Sequence, residues 1–225
     1  MKIILNMLFL SLVFVTQAWT QAIPVITIEK YSENLMHYFL NKNDSIIYET
    51  ISIYENKNYE GRLEQIDDIT IYFFYGIKMD NINKYNDFIN IVNGRNLQRL
   101  KYVFDIIDNN DIGLFLRQQE PNPQLNDIYW TLYFSSGNTQ YIDYLSTIVM
   151  NYYNEIANLN NYLTARSAIW SMALNSRTYS QVREYVINNR ILINVLKEYI
   201  LNTNLNIMQN ETVEFIRKQR ENGIW

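Results

Sequence analysis

The chain has no cysteine, one histidine, three prolines and six glycines among its 225 residues. Without cysteine it cannot form disulfides, thiolate nucleophiles, or cysteine-ligated zinc and iron–sulfur sites. With His37 as the single histidine, a histidine-based metal site or a Ser-His-Asp triad is poorly supported. No Gly-x-Ser-x-Gly elbow or phosphate-binding glycine loop occurs either. We therefore expect no cofactor and no metal, and the sequence favours a non-catalytic role over an enzymatic one.

Positive charge is also scarce: the chain has 19 Lys and Arg residues and 23 Asp and Glu residues, which gives a net charge of −4 and a pI near 5.1. Proteins that read nucleic acid are basic, so nucleic acid is not an expected partner. The imbalance lies in the first half: residues 23–112 hold 14 acidic and 9 basic side chains, whereas residues 113–225 hold 9 of each. Beyond the N-terminal segment no apolar run reaches about 18 residues, so no membrane span is expected in the mature chain.

The N-terminal segment has the layout of a cleavable export signal. Lys2 precedes an apolar stretch over residues 3–15, and small residues follow at Ala18 and Ala22. A membrane anchor is the alternative, but thirteen apolar residues span only about 20 Å of a hydrocarbon core about 30 Å thick. We expect residues 1–22 to be a signal peptide cleaved near Ala22 or Ala18, and the protein to be exported to a periplasm or the exterior.

The remaining residues, 23–225, are predicted to form a single all-α domain. The last hundred residues contain no proline, which suits uninterrupted helices. Residues 45–54 and 66–74 are rich in isoleucine and aromatics, and the choice between helix and strand stays open for both. Asn96 and Asn126 are placed to cap the helices that follow them.

A repeat is visible in the second half, at an offset of 40 residues. Laying Trp130 on Trp170 aligns Ser136 with Ser176 and Ile142 with Val182. This spacing is typical of helix pairs that bury their apolar faces by stacking. We expect such pairs at about residues 85–108, 125–156 and 163–202. The predicted architecture is an irregular helical array, an α-solenoid-like stack in the style of TPR or HEAT repeats, with both tryptophans in a common interior.

One part of the chain, about residues 121–186, resembles a pattern found in signal-peptide-bearing bacterial proteins of unassigned function. In that pattern a proline and an acidic residue precede a tryptophan, an aromatic pair and a glycine turn, and a later Trp-Ser element precedes an asparagine. The residues that carry the resemblance are Pro123, Asp127, Trp130, Tyr133, Phe134, Ser136, Gly137, Tyr141, Ala168, Trp170, Ser171, Asn175 and Val182. The chain departs from the pattern at Ser176 and Tyr179, where alanine and histidine are expected. The resemblance implies an exported helical domain and no particular activity.

Two sets of residues are candidates for binding. The aromatic run Tyr129, Trp130 and Tyr133 is suited to line a groove for a peptide or a sugar, although aromatics at helical spacing are more often core. Basic residues recur in the second repeat, at Arg166, Arg177 and Arg183. They would form a basic stripe on a concave surface, or be solvated charges interspersed with acidic ones.

Acidic clusters give little support to catalysis or metal binding. Glu64 and Asp68 share a helical face, whereas Asp67 points about 100° away, so the three do not converge on one site. The Asp108–Gly113 segment hints at a calcium loop, but two of the required ligands are missing and a polar turn is favoured.

The predicted function is therefore an exported, non-catalytic module that binds a protein or peptide partner. A cell-envelope hydrolase that uses carboxylates is one alternative, and a secreted structural or host-directed factor is another. The oligomeric state stays open.

Overall fold

The computed structural model describes residues 26–155, 157–201 and 206–223, so the predicted signal peptide over residues 1–22 lies outside the described residues. The described residues form helices and no strand. One 3-10 helix, Lys57–Arg62, precedes the third α-helix. The α-helices are α1 Ile28–Asn41, α2 Ser45–Glu55, α3 Leu63–Asp80, α4 Ile82–Asn93, α5 Gln98–Asn109, α6 Ile112–Gln118, α7 Pro123–Ser136, α8 Gln140–Tyr152, α9 Leu159–Thr178, α10 Ser180–Asn188, α11 Arg190–Leu201 and α12 Asn206–Glu221.

The all-α prediction is confirmed, and both segments left open between helix and strand are helical. Residues 45–54 lie in α2 and residues 66–74 lie in α3. In α3 the buried side chains recur every three or four residues, at Leu63, Ile66, Thr70, Phe73 and Ile77. The β-branched Thr70 fits because its hydroxyl donates to the carbonyl of Ile66 at 2.7 Å, which leaves no unpaired polar group inside the helix.

Two of the predicted helix caps are wrong. Pro123 occupies the first turn of α7, where its missing N–H costs nothing, and the preceding Asn122 accepts from the Leu125 N–H at 2.9 Å. Asn126 is therefore inside the helix, fully buried, and donates across to the Thr164 carbonyl at 2.9 Å. Helix α5 begins one residue later than expected, with Leu97 at its N-cap position and no side-chain cap.

Helix α7 is the centre of the array. Its most extensive contact is with α3, and it also packs against α1, α8 and α9. At the crossing with α3, a Cβ added to Gly76 would lie 1.8 Å from Ser135 Oγ and 3.3 Å from the Leu132 carbonyl oxygen. The array therefore folds back on itself around α7, because α1 and α3 contact α7 across long stretches of sequence.

Two serines matched by the 40-residue repeat make the same kind of hydrogen bond within their own helices. Ser136 Oγ donates to the Leu132 carbonyl at 2.6 Å, and Ser176 Oγ donates to the Met172 carbonyl at 2.7 Å. Trp130 is buried, while Trp170 is partly buried and packs against the same core. Within the described residues, no helix is both long enough and apolar enough to cross a membrane.

Candidate functional site

The aromatic candidates Trp130 and Tyr133 lie in the core. Their side chains are only 4% and 1% exposed. Trp130 meets Tyr133 edge to face at 5.9 Å between ring centroids and stacks on Phe134 at 5.6 Å. Phe39 of α1 packs against Tyr133 at 4.9 Å and against Phe134 at 5.9 Å. These rings join α7 to α1 and contribute mainly to packing.

Two of the three arginine candidates bond to the ends of helices. Arg177 donates through Nε to the Ile200 carbonyl at 3.1 Å and also bonds to the Tyr199 carbonyl, both in the last turn of α11. Arg183 donates to the carbonyls of Ser176 and Arg177 at the end of α9, each at 2.9 Å. A guanidinium at a helix C-terminus satisfies carbonyls that have no partner inside the helix.

The third arginine, Arg166, joins three helices. Its guanidinium donates to Thr212 Oγ1 of α12 and to the Tyr199 hydroxyl of α11, both at 3.1 Å. It also forms an ion pair with Glu211 at 3.5 Å and lies over the Tyr199 ring. All three arginines are thus engaged in contacts within the fold, and their role in binding stays a prediction.

Tyr129, the remaining aromatic candidate, lies at the edge of a different group of tyrosines. Its ring stacks on Tyr144 of α8, with centroids 5.0 Å apart and planes 17° apart. Tyr144 is 38% exposed. Tyr141 lies one turn earlier on the same helix and is half-buried. Burial raises the pKa of Tyr141 to about 12, and Tyr75 of α3 and Tyr144 add to the shift.

Helix α3 supplies the other side of this group. The Tyr75 hydroxyl lies close to Gly113 at the start of α6, where an added Cβ would be 2.8 Å from it. Glycine at this position lets α6 approach the ring. Tyr72 is one turn earlier on α3, and both rings are half-buried. We call Tyr72, Tyr75, Tyr129, Tyr141 and Tyr144 the tyrosine surface.

Apolar side chains border the tyrosine surface. Met79 follows Tyr75 by one turn of α3 and is 62% exposed. Leu114 and Phe115, next to Gly113 on α6, are exposed as well. Exposed apolar residues that adjoin several half-buried aromatics are typical of contact surfaces rather than of ordinary solvated faces.

Two carboxylates continue the same face of α3 toward its N-terminus. Glu64, Asp68 and Tyr72 follow one another at intervals of one turn, and both carboxylates are exposed. Desolvation raises the pKa of Asp68, and the negative charges of Asp67 and Glu64 raise it further.

Asp67 has a separate structural role, because it points away from this face. Its carboxylate pairs with Arg99 Nη2 of α5 at 2.7 Å and accepts from the Tyr54 hydroxyl at 2.7 Å. It therefore ties α3 to α2 and α5, and it does not face Asp68.

The hydrolase alternative needs two carboxyl groups that share one site and differ in pKa. Besides Asp68, Asp127 of α7 has a raised carboxyl pKa: desolvation by the surrounding protein raises it to about 6, even though the residue as a whole is exposed at the surface. No other charged group contributes to that shift, so Asp127 does not form a pair with a second carboxylate. His37 is packed edge to face against Tyr179 at 5.6 Å.

The polar segment after α5 is built as a turn. Asp108 pairs with Lys78 at 2.8 Å, and Asp111 Oδ1 accepts from the Leu114 N–H to cap α6. Among the described residues no group of three or more acidic, histidine or cysteine side chains is arranged to hold a metal ion.

Sequence reasoning found Tyr129 but missed the rest of the tyrosine surface. The signal was present on α3, where Glu64, Asp68, Tyr72, Tyr75 and Met79 are spaced by four, four, three and four residues. That spacing defines one face of a helix, but the sequence could not show that no other helix of the fold covers this face completely.

Comparison with protein-family models, with curated proteins and with solved structures gives no match for this chain. The resemblance to signal-peptide-bearing bacterial proteins therefore stays a prediction.

Proposed function

We propose that this protein is an exported, non-catalytic module that binds a protein or peptide segment through its tyrosine surface. The observation that carries the proposal is the stack of Tyr144 on Tyr129, with Tyr144 more than a third exposed, beside further half-buried tyrosines on α3 and α8, the two helices that pack on α7. Tyrosine supplies a large, rigid contact area with a polar tip at low conformational cost, and it is enriched in protein interfaces.

The stacked pair prepares this surface for binding. Tyr129 is buried on α7 and fixes one face of the Tyr144 ring, so little side-chain entropy is lost when a partner covers the other face. The hydrolase alternative has less support, because the raised carboxyl groups Asp68 and Asp127 are not coupled to each other.

Export rests on the sequence of residues 1–22. Expression with this leader is expected to yield an exported protein whose N-terminus is Ile23 or Trp19. Sequencing of the N-terminus tests this. A chain that stays inside the cell with its leader intact would contradict export without touching the binding proposal.

Binding is tested by selecting peptides from a random display library against the purified protein. Selected peptides should lose about tenfold in affinity when Tyr144→Ala removes the exposed ring, the loss typical of an interface aromatic. Tyr102→Ala is the matched control, because Tyr102 is 63% exposed on α5 and is absent from the ring contacts of the tyrosine surface. Failure to select any peptide, or equal losses for both variants, would contradict the proposal.

A further inference from the structure

The exposed face of α3 changes character along its length. Glu64 and Asp68 form an acidic end, Tyr72 and Tyr75 form the middle, and Met79 forms an apolar end. From Glu64 to Met79 the face extends for about 22 Å, at about 1.5 Å per residue. That length matches an extended segment of about seven residues or four turns of helix.

The acidic end has no cation of its own. Within the described residues neither Glu64 nor Asp68 forms an ion pair or a side-chain hydrogen bond, whereas the adjacent Asp67 is paired with Arg99. Arg99 exerts only a longer-range attraction on Glu64. Lys78, further along α3, is engaged by Asp108. A partner that covers this end with neutral side chains would desolvate two unpaired charges, which is costly.

The acidic and aromatic parts are contiguous. Asp68 lies one turn before Tyr72 on α3, so one bound side chain can reach both. Desolvation raises the pKa of the Tyr72 phenol, and the negative charge of Asp68 adds to the shift. A Lys or Arg side chain suits this position, because its charged end pairs with a carboxylate while its stem lies along the ring.

We infer that the segment recognised by this protein is cationic and amphipathic, with Lys or Arg against Glu64 and Asp68 and apolar side chains against Tyr72, Tyr75 and Met79. This inference rests on the proposed function and specifies its partner. Charge complementarity selects that occupant, because Glu64 and Asp68 have no ion-pair partner within the described residues and lie beside an aromatic and apolar platform, while the Arg117 guanidinium acts near Tyr75, two turns further along. The surrounding half of the chain, residues 23–112, has 14 acidic and 9 basic side chains, which favours the approach of a cation over that of an anion.

Three fluorescein-labelled peptides of equal length test the inference by fluorescence anisotropy with the full chain. They share one set of Leu and Ala positions and carry Lys, Glu or Gln at the others. We expect the Lys peptide to bind most tightly, and its affinity to fall as NaCl rises from about 50 to 500 mM. The Glu peptide should not bind measurably.

Substitutions at Glu64 and Asp68 test whether the preference for the Lys peptide depends on these two carboxylates. Glu64→Gln with Asp68→Asn should weaken the Lys peptide about fivefold, since each exposed ion pair contributes modestly. The matched control, Glu29→Gln with Asp87→Asn, removes two exposed carboxylates elsewhere that form no ion pair within the described residues, and should leave the affinity unchanged. Glu64→Lys with Asp68→Lys should reverse the preference toward the Glu peptide, with circular dichroism confirming an unchanged fold.

The outcomes separate the two proposals. Equal binding of the Lys and Glu peptides, or no effect of removing Glu64 and Asp68, would overturn the cationic partner. If neutral or acidic peptides bind and still depend on Tyr144, only the charge inference fails. If no peptide binds and the display library also yields none, the proposed function fails with it.

Discussion

Tyrosine serves two purposes in this protein, and the surroundings of each ring decide which. Tyr31 is buried between α1 and α2, where its hydroxyl shares a hydrogen bond of 2.9 Å with Thr50 Oγ1. Tyr144 presents one ring face to solvent and the other to Tyr129. The same side chain thus supplies core volume in one place and a prepared contact surface in another, which is possible because it is apolar along its body and polar at its tip.

Asp127 yields a prediction at this scale. Its pKa of about 6 in the folded protein lies above the value of 3.8 for a free side chain. The folded state therefore binds the proton more tightly than the unfolded state, so this group stabilises the fold below about pH 4 and loses that contribution as the pH rises through about 6. Asp127→Asn should remove this part of the pH dependence.

Urea unfolding of the two proteins at about pH 4, 5, 6 and 7 measures the effect. The variant should gain stability relative to the parent as the pH rises. Parallel curves for parent and variant would show that Asp127 has an ordinary pKa.

At the scale of elements, the contact between α3 and α7 determines how the array closes. Gly76 and Ser135 meet at the crossing, and Gly76 is buried. Because both helices run through the core, the close approach of their backbones sets the spacing of the helices packed on either side.

Gly76→Ala is expected to destabilise the fold by about 2 kcal/mol, since its Cβ would overlap Ser135 Oγ in a packed interior. Combining it with Ser135→Ala, which removes that oxygen, should recover part of the loss. The control is Gly61→Ala, where no atom lies within 4 Å of the added Cβ. Thermal unfolding of the parent, Gly76→Ala, Ser135→Ala, the double variant and the control measures the coupling, and strictly additive effects of the two core changes would contradict this packing.

The helices themselves were largely predictable, and the errors have local causes. Apolar spacing outweighed the strand propensity of the β-branched residues 66–74, because one side of α3 is buried along its length. The cap at Asn126 was wrong because Pro123 starts the helix earlier and Asn122 already supplies the cap. For the arginines the sequence left open a basic stripe or solvated charges, and it could not show that Arg177 and Arg183 reach carbonyls at helix ends, whose position depends on tertiary structure.

At the scale of the molecule, the packing of α7 against α1 and α3 could not be read from the sequence. A repeat of helix pairs predicts contacts between neighbours in the chain, and α8, α9 and α10 follow that rule. The contact of α1 with α7 spans much of the chain and depends on the fit of rings such as Phe39 and Tyr133. The tyrosine surface arises from this arrangement, because it needs α3, α7 and α8 side by side.

Because its interior tyrosines resist ionisation, the folded protein is expected to lose stability at high pH. Burial raises the pKa of three of them to about 12, namely Tyr31, Tyr133 and Tyr179. Since unfolded tyrosines ionise near pH 10, the folded state holds more protons between about pH 10 and 12, and stability falls as the pH rises. A fully buried group such as Tyr31 contributes about 1.4 kcal/mol per pH unit to that fall.

Urea midpoints at about pH 8, 10 and 11, followed together with phenolate absorbance, measure this loss. The variant Tyr31→Phe should show a shallower decline than the parent. Ionisation of all tyrosines near pH 10 without loss of the fold would contradict the burial of these hydroxyls.

The binding account is tested most directly by hydrogen exchange of the full chain with and without a selected peptide. We predict slowed exchange in α3 and α8, and at the start of α6 around Gly113. Slowed exchange confined to α9, α11 and α12 around Arg166, or no local change in a protein that binds the peptide, would contradict the assignment of the tyrosine surface.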